Sequence, residues 1–305
     1  MDHPSAWLAG FIPDLPTPFD QNDKIDLASF KRLCERQIDA GTTALVVGET
    51  TGESSTLTPA EHDLIVRAAV KASRGRVRII AGAGSNSTSQ AVALTRRAEA
   101  DGADAILSVV PYYNKPMQAG IYAHFRAIAE STALPIVLHD IPSRTVRELS
   151  DETVLRLAES AQFIGIKDAT GDVTRPLRLK PLAGPDFRLL SGDDASAAAF
   201  LFYGGDGCIS VTSNVAPALC NQIYLTAKGG SLQATRRTAI ELMELTTVLS
   251  LDSSPAALKY ALSLLGLMLP DVRLPIIELS DSSKARTAIA IAKICLEDSE
   301  LSLYR

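Results

Sequence analysis

The chain has 305 residues, 46% of them hydrophobic and 21% charged, enough to bury one large core or two smaller ones. Its formal net charge of −5 is spread without acidic or basic blocks, which excludes an electrostatic footprint for nucleic acid or a membrane surface. No stretch approaches the ~20 uninterrupted apolar residues of a membrane span, and Met1–Gly10 lacks a basic segment leading into an apolar run, so a soluble cytoplasmic protein is expected.

Short apolar runs recur along the chain, each followed by a polar turn and a helical pattern. They are Phe11–Leu15, Ala44–Val47, Arg78–Ala81, Ala105–Val110, Pro135–Leu138, Phe163–Ile166, Phe187–Leu190 and Cys208–Val211. Each is apolar on both alternating faces, as parallel strands covered on either side should be. Between them, Leu27, Phe30, Cys34 and Ile38 mark one helix face, which Ala40-Gly41 ends. Thr58-Pro59-Ala60-Glu61 joins a capping box to a proline in the first turn, and Ser87-Thr88-Ser89-Gln90 has the same box spacing. Asp101-Gly102 and Gly204-Gly205 stop two further helices. Eightfold strand–helix alternation predicts an α/β fold, a (β/α)8 TIM barrel over residues 1–225. Helical stretches near 231–250, 255–267 and 282–296, with Leu269–Ile277 as a loop, predict a C-terminal helical extension over 226–305.

In such a barrel, reactive groups sit at the C-terminal ends of strands. Lys167 closes the run Phe163-Ile164-Gly165-Ile166 and would project into the barrel mouth. Burial there favours the neutral amine that a Schiff-base nucleophile requires. A strand-end lysine paired with Asp168 explains the position equally well. Gly48-Glu49-Thr50-Thr51-Gly52-Glu53-Ser54 offers hydroxyls and backbone N–H groups to a carboxylate, or simply caps a helix. Tyr112-Tyr113-Asn114 adds phenols at another strand end, though tyrosines more often serve packing. Gly82-Ala83-Gly84 imitates a dinucleotide fingerprint, but Ser87 stands at the third glycine position. Cys34, Cys208, Cys220 and Cys295 lie too far apart for a metal site and read as buried free thiols.

Together these motifs resemble the dihydrodipicolinate synthase / N-acetylneuraminate lyase family along nearly the whole chain. The resemblance rests on Thr50-Thr51-Gly52-Glu53-Ser54, Ala81-Gly82-Ala83-Gly84-Ser85-Asn86, Pro111-Tyr112-Tyr113-Asn114-Lys115-Pro116 and Pro142-Ser143-Arg144-Thr145. It continues through Gly165-Ile166-Lys167-Asp168-Ala169-Thr170-Gly171, Ser191-Gly192-Asp193-Asp194 and Gly207-Cys208-Ile209-Ser210-Val211. It implies a lyase in which Lys167 forms an imine with pyruvate, with no metal and no separate cofactor. Thr50 and Thr51 would hold the pyruvate carboxylate and relay protons, while Gly192 and Ile209 line the pocket through their backbones. Tyr113 would cross a dimer interface into the neighbouring site, so a homodimer is the minimum and a tetramer is expected. Arg144 matches the arginine that grips the aldehyde's carboxylate, a task suited to a planar, permanently charged fork. This implies condensation with L-aspartate-4-semialdehyde, a step towards lysine and diaminopimelate. The alternatives are a pyruvate-dependent aldolase for another aldehyde or keto sugar acid, and a non-catalytic keto-acid-binding paralogue.

Two positions depart from the family pattern. His139 occupies the place of its proton-shuttling tyrosine, with Asp140 for the asparagine that follows, and Glu49 stands where a glycine usually precedes the threonines. Imidazole titrates near neutrality, so a Glu49–His139 dyad is the expectation, Glu49 fixing the ring's tautomer or raising its pKa. The competing reading has His139 only filling space, bonded to Asp140 or a threonine. The resemblance also implies a lysine effector site at Ser54, His62, Asn86 and Tyr112, with Ser55. Pro59 stands there where a histidine can occur, and Gln90 replaces a glutamate, so lysine inhibition is expected to be weak or absent.

Overall fold

The eight apolar runs become eight parallel strands: β1 Gly10–Pro13, β2 Ala44–Val47, β3 Arg78–Gly82, β4 Ala105–Val109, β5 Ile136–Asp140, β6 Phe163–Asp168, β7 Arg188–Ser191 and β8 Gly207–Ser210. The computed structural model describes residues 5–252 and 254–302, with side chains as far as Cys295. Residues 1–4 and 303–305, the outer ends of the two segments expected from sequence, lie outside the described residues. Strand order is β1-β8-β7-β6-β5-β4-β3-β2, and a parallel bridge between Asp14 and Val46 brings the two ends of the sheet together. The (β/α)8 barrel is therefore present.

Helices follow the strands in turn. They are α1 Leu27–Asp39, α2 Pro59–Ser73, α3 Thr88–Ala100, α4 Gln118–Ala129, α5 Pro142–Thr145 and α6 Asp151–Ala158. Then come α7 Arg175–Leu179, α8 Ala197–Phe202, α9 Pro217–Lys228, α10 Leu232–Leu249, α11 Ala256–Leu264 and α12 Asp281–Ser302. No described helix is long and apolar enough to cross a membrane. Thr58 and Glu61 form the expected capping box on α2. The second box does not form. Ser87 makes no side-chain cap bond: its Oγ lies 3.1 Å from Ser89 Oγ, and Gln90 Oε1 accepts from Ser85 Oγ at 3.1 Å. On α1, Phe30, Cys34 and Ile38 are buried but Leu27, at the first helical position, is exposed. Helix α9 packs on β1 and runs through position 226. Cys295 is exposed, unlike the other three thiols, because it faces outward from α12.

Two apolar layers share the strands. Inward-facing Ile12, Val46, Ile80, Leu107, Val137, Ile164, Leu190 and Ile209 fill the barrel. Outward-facing Leu45, Ile79, Ile106, Leu138, Ile166 and Leu189 pack beneath the helices. The glycines of the false dinucleotide motif serve this packing. A Cβ on Gly82 would lie 2.4 Å from the Gly48 carbonyl oxygen, and one on Gly84 2.5 Å from the Val109 nitrogen.

Strict alternation fails once, in β6. Ile136 pairs with Phe163 but Val137 pairs with Gly165, so one extra residue is accommodated at Ile164. Ile164 points into the barrel, yet Ile166 points out, and Lys167 therefore points in.

The C-terminal helices are tied to the loop after β2. Lys259 Nζ, fully buried, lies 2.5 Å from Glu53 Oε1 and donates to the Asp271 carbonyl at 2.8 Å. Arg273, in the expected loop before α12, donates its backbone N–H to Glu53 Oε2 and its guanidinium to Glu61 and Asp23. Phe19 lies between both cations, 4.0 Å from Lys259 and 4.2 Å from Arg273.

Candidate active site

Adjacent residues at the ends of β5 and β6 point to opposite faces. His139 and Lys167 turn into the barrel, whereas Asp140 and Asp168 turn out to the Arg175 guanidinium, at 2.8 and 3.3 Å. Lys167 is thus not paired with Asp168, and His139 is not bonded to Asp140.

Lys167 Nζ donates to Asp14 Oδ2 at 3.0 Å and lies 3.7 Å from Glu49 Oε2. Glu49 Oε1 lies 2.9 Å from His139 Nδ1, and Glu49 Oε2 accepts the Thr50 backbone N–H. Asp14, Glu49, His139 and Lys167 are all buried. The dyad contact expected from sequence is present. Asp14 was not among the residues singled out by sequence, although one signal was available: it is the lone charge inside the run Phe11–Leu15.

Electrostatics differ from the sequence expectation at Lys167. Burial pulls the ammonium's pKa down, but the Asp14 and Glu49 carboxylates outweigh it and hold the group above its ordinary value. The resting amine is therefore charged. Burial pushes the Asp14 carboxyl up to about 6, with Lys167 opposing and Glu49 adding to the rise. Burial likewise raises Glu49, yet His139, Lys167 and the Thr50 contact bring it well below the usual carboxylate range. His139 moves the other way: burial lowers its pKa more than Glu49 raises it. His139 is therefore neutral, and Lys167 supplies the charge that keeps Glu49 ionised. Since an ionised carboxylate only accepts, His139 Nδ1 must donate, which leaves Nε2 as a free lone pair. Of the two roles expected for Glu49, fixing the tautomer fits and raising the pKa does not. His139 Nε2 and Asp14 Oδ1 are buried without a protein partner.

The loop after β2 is held from both sides. Gly48 has φ +65°, and its absent Cβ would lie 2.8 Å from His62 Nε2, which donates to the Gly82 carbonyl at 2.7 Å. Thr17 Oγ1 donates to the Gly52 carbonyl at 2.7 Å. Thr51 is buried and Thr50 partly exposed. Gly192 follows β7, where a Cβ would meet Ala169 Cβ at 2.8 Å and Lys167 Cγ at 3.1 Å. Ile209 lies in β8, inside the barrel. The position of Gly192 lets the lysine stem pass; Ile209 walls it.

Above this group opens a cavity of about 670 Å³, lined by Glu49, Thr50, Ser54, His62, Tyr112 and Arg144, with Ser55, Pro59 and Gln90 among the others. Lys167 and His139 are not lining residues; Glu49, which is, contacts both. Arg144 is exposed in α5 and has no ion-pair partner among the described residues, so its guanidinium is free at the mouth. Ser54, His62 and Tyr112 share the cavity, whereas Asn86 does not line it. Its backbone carbonyl accepts from Asn114 Nδ2 at 2.8 Å. Tyr113 has φ +70° and is 89% exposed, pointing away from the site of its own chain. Among the described residues, no group of acids, histidines and cysteines has the arrangement to hold a metal ion.

The model of the dihydrodipicolinate synthetase family matches residues 7–294. The 4-hydroxy-tetrahydrodipicolinate synthase of Hyphomonas neptunium is 50% identical over 285 residues, covering 93% of this chain and 97% of its own. That of Rhodospirillum centenum is 48% identical over 284 residues, with the same coverage of both chains. Among solved structures, dihydrodipicolinate synthase from Aquifex aeolicus superposes with a TM-score of 0.92 at 37% identity, covering 94% of this chain and 98% of that one. The 4-hydroxy-tetrahydrodipicolinate synthase of Methylacidiphilum fumariolicum SolV gives 0.93 at 36% identity, covering 96% and 98%. A barrel with a lysine at the mouth, matched over almost its full length by these proteins, belongs to the dihydrodipicolinate synthetase family.

Proposed function

We propose that this chain is a lyase that condenses pyruvate with L-aspartate-4-semialdehyde through a Schiff base on Lys167, the activity for which its relatives are named. The observation that carries this reading is the placement of Lys167: a buried amine at a strand end, flanked by two carboxylates, one of which, Glu49, lines a cavity that also holds a free arginine.

The amine adds to the keto carbon, and water leaves to give the imine. Thr50 and Thr51 offer hydroxyl and backbone donors to the carboxylate. His139 Nε2, held as a lone pair by the bond from Nδ1 to Glu49, removes a methyl proton to give the enamine. The enamine adds to the aldehyde carbon while Arg144 holds the second carboxylate, and its positive charge offsets the acids deeper in the site. The product's amine then displaces Lys167 and closes the ring. No separate cofactor is needed, because the lysine itself is the electron sink. Tyr113, exposed on its own chain, reaches the neighbouring site in a homodimer, and a homotetramer in the cytoplasm is the proposed working form.

The decisive assay supplies purified protein with pyruvate and aspartate semialdehyde and follows product by coupled reduction. Borohydride with pyruvate should add a single reduced adduct at Lys167. Arg144→Ala should raise the KM for the semialdehyde while leaving that adduct intact. A semialdehyde KM that does not move removes Arg144 from the reading. One observation favours a second reading: Glu49 and His139 change the proton-transfer groups of the pocket. If adduct forms but the semialdehyde is not turned over, a panel of other aldehydes identifies the substrate.

A further inference from the structure

We propose that Asp14 is a catalytic residue, the group that takes the Lys167 proton as the amine attacks the keto acid and returns it to the departing oxygen. The inference rests on the Schiff-base reading above and assigns it a step which neither Glu49 nor His139 performs.

Three observations carry it. Asp14 Oδ2 is the nearest carboxylate to Lys167 Nζ, at 3.0 Å against 3.7 Å for Glu49. Both Glu49 oxygens are engaged, one by His139 Nδ1 and the other by the Thr50 N–H, whereas Asp14 Oδ1 is buried with no partner. The Asp14 backbone is fixed at the seam of the barrel, where its N–H bonds the Ser210 carbonyl and its own carbonyl accepts from Asn214 Nδ2, both at 2.9 Å. A buried acid oxygen without such a partner is costly, and it gives the carboxylate that touches the amine a free place for a proton.

The step balances. Lys167 begins as an ammonium and Asp14 as a carboxylate, and one proton passes between them. The neutral amine forms a bond to C2, and the carbonyl oxygen takes a second proton from nitrogen to become a hydroxyl. That hydroxyl leaves as water with the proton held by Asp14, while the C2–O bond breaks and the nitrogen lone pair forms the protonated imine. Three ammonium hydrogens become one on the imine and two in water. Asp14 ends as it began.

The groups that set its titration come from β6, the loop after β2, β5 and β8. Lys167 of β6 and the Thr51 hydroxyl favour its ionised form, and Glu49 after β2 disfavours it. His139 of β5 and Cys208 of β8 act at one remove, through Glu49 and Lys167. Burial leaves the Asp14 carboxyl at about 6. Below that pH it already holds a proton and cannot accept another.

The test is the rate of imine formation, read by rapid borohydride quench and mass spectrometry of the Lys167 peptide. In the unsubstituted protein the rate should fall as pH drops below about 6. Asp14→Asn should slow it about a hundredfold, the lower range of general acid–base catalysis. In Asp14→Ala, added formate should restore part of the rate in a saturable way, whereas chloride at equal ionic strength should not. A rate in Asp14→Asn within a few-fold of the original, or formate and chloride acting alike on Asp14→Ala, overturns the assignment. Should neither variant fold, the unsubstituted protein decides, because a profile flat between about pH 5 and 8 overturns it alone. Absence of any adduct in the unsubstituted protein overturns the lysine reading itself. Normal adduct in Asp14→Asn overturns only the role of Asp14.

Discussion

Two buried charge clusters meet at the ends of β5 and β6 and differ in how fully their cation is bound. On the outer face, the Arg175 guanidinium uses all three nitrogens: Nε meets Asp151, Nη1 meets Asp140 and Asp168, and Nη2 meets the Leu149 carbonyl. On the inner face, one residue away along each strand, Lys167 meets Asp14 and Glu49, while His139 Nε2 and Asp14 Oδ1 meet nothing in the protein. One outer oxygen, Asp140 Oδ1, also lacks a protein partner, but the outer cation is bonded at every nitrogen and ties the loops around it, whereas the inner cluster leaves the imidazole and the acid beside the amine open to a ligand. The outer cluster thus reads as architectural and the inner one as chemical, although β5 and β6 contribute to both.

Substitutions can break that contrast. Lys167→Ala should abolish the pyruvate adduct and turnover together. Its melting temperature should change little, because Asp14, with its carboxyl already near 6, can take up a proton once its cation is gone. A large loss of thermal stability would instead make the inner cluster architectural. His139→Gln comes next, with turnover lower by roughly 10²- to 10⁴-fold and an unaltered unfolding transition. Turnover near the original level would leave His139 as filler. Arg175→Met should do the reverse, destabilising by about 3–5 kcal/mol as Asp140 and Asp168 lose their cation, while the protein that remains folded still forms adduct. Denaturant titration measures the first and mass spectrometry the second.

The smallest expected effect lies at the tie to the C-terminal helices. Arg273 holds the Glu61 carboxyl down to about 2. A folded-state pKa depressed in this way contributes stability that is fully present above the ordinary value of 4.5 and is lost as pH falls towards 2. Arg273→Gln should flatten that part of the stability profile. The change should be modest, since Glu61 is partly exposed and solvent screens the pair. An unchanged slope would show that Arg273 acts through Phe19 and the Glu53 backbone contact alone.

What could be read before the fold was known follows from local chemistry. Apolar runs of strand length, separated by helix caps and stops, force a barrel because each strand must be covered on both faces, and all eight were legible. Even so, Ser87 failed as a cap: its hydroxyl pairs with Ser89, and the glutamine side chain with Ser85. Lys167 was legible as a strand-end amine, and Glu49 with His139 as a pair that departs from the pattern of the family the chain resembles.

The sequence by itself determined the strands, the helices and the kind of chemistry the mouth can support. Only the tertiary structure decided which way the reactive groups face and with whom they pair. The extra residue in β6 turns Lys167 inward; unbroken alternation from Ile164 would have aimed Asp168 there instead. Asp14 meets Lys167 only because the first strand closes against the last, bringing together residues 153 positions apart. That meeting also sets the charge of the amine. Burial, which sequence can anticipate, favours a neutral lysine, but the carboxylates that reverse the balance arrive from distant strands.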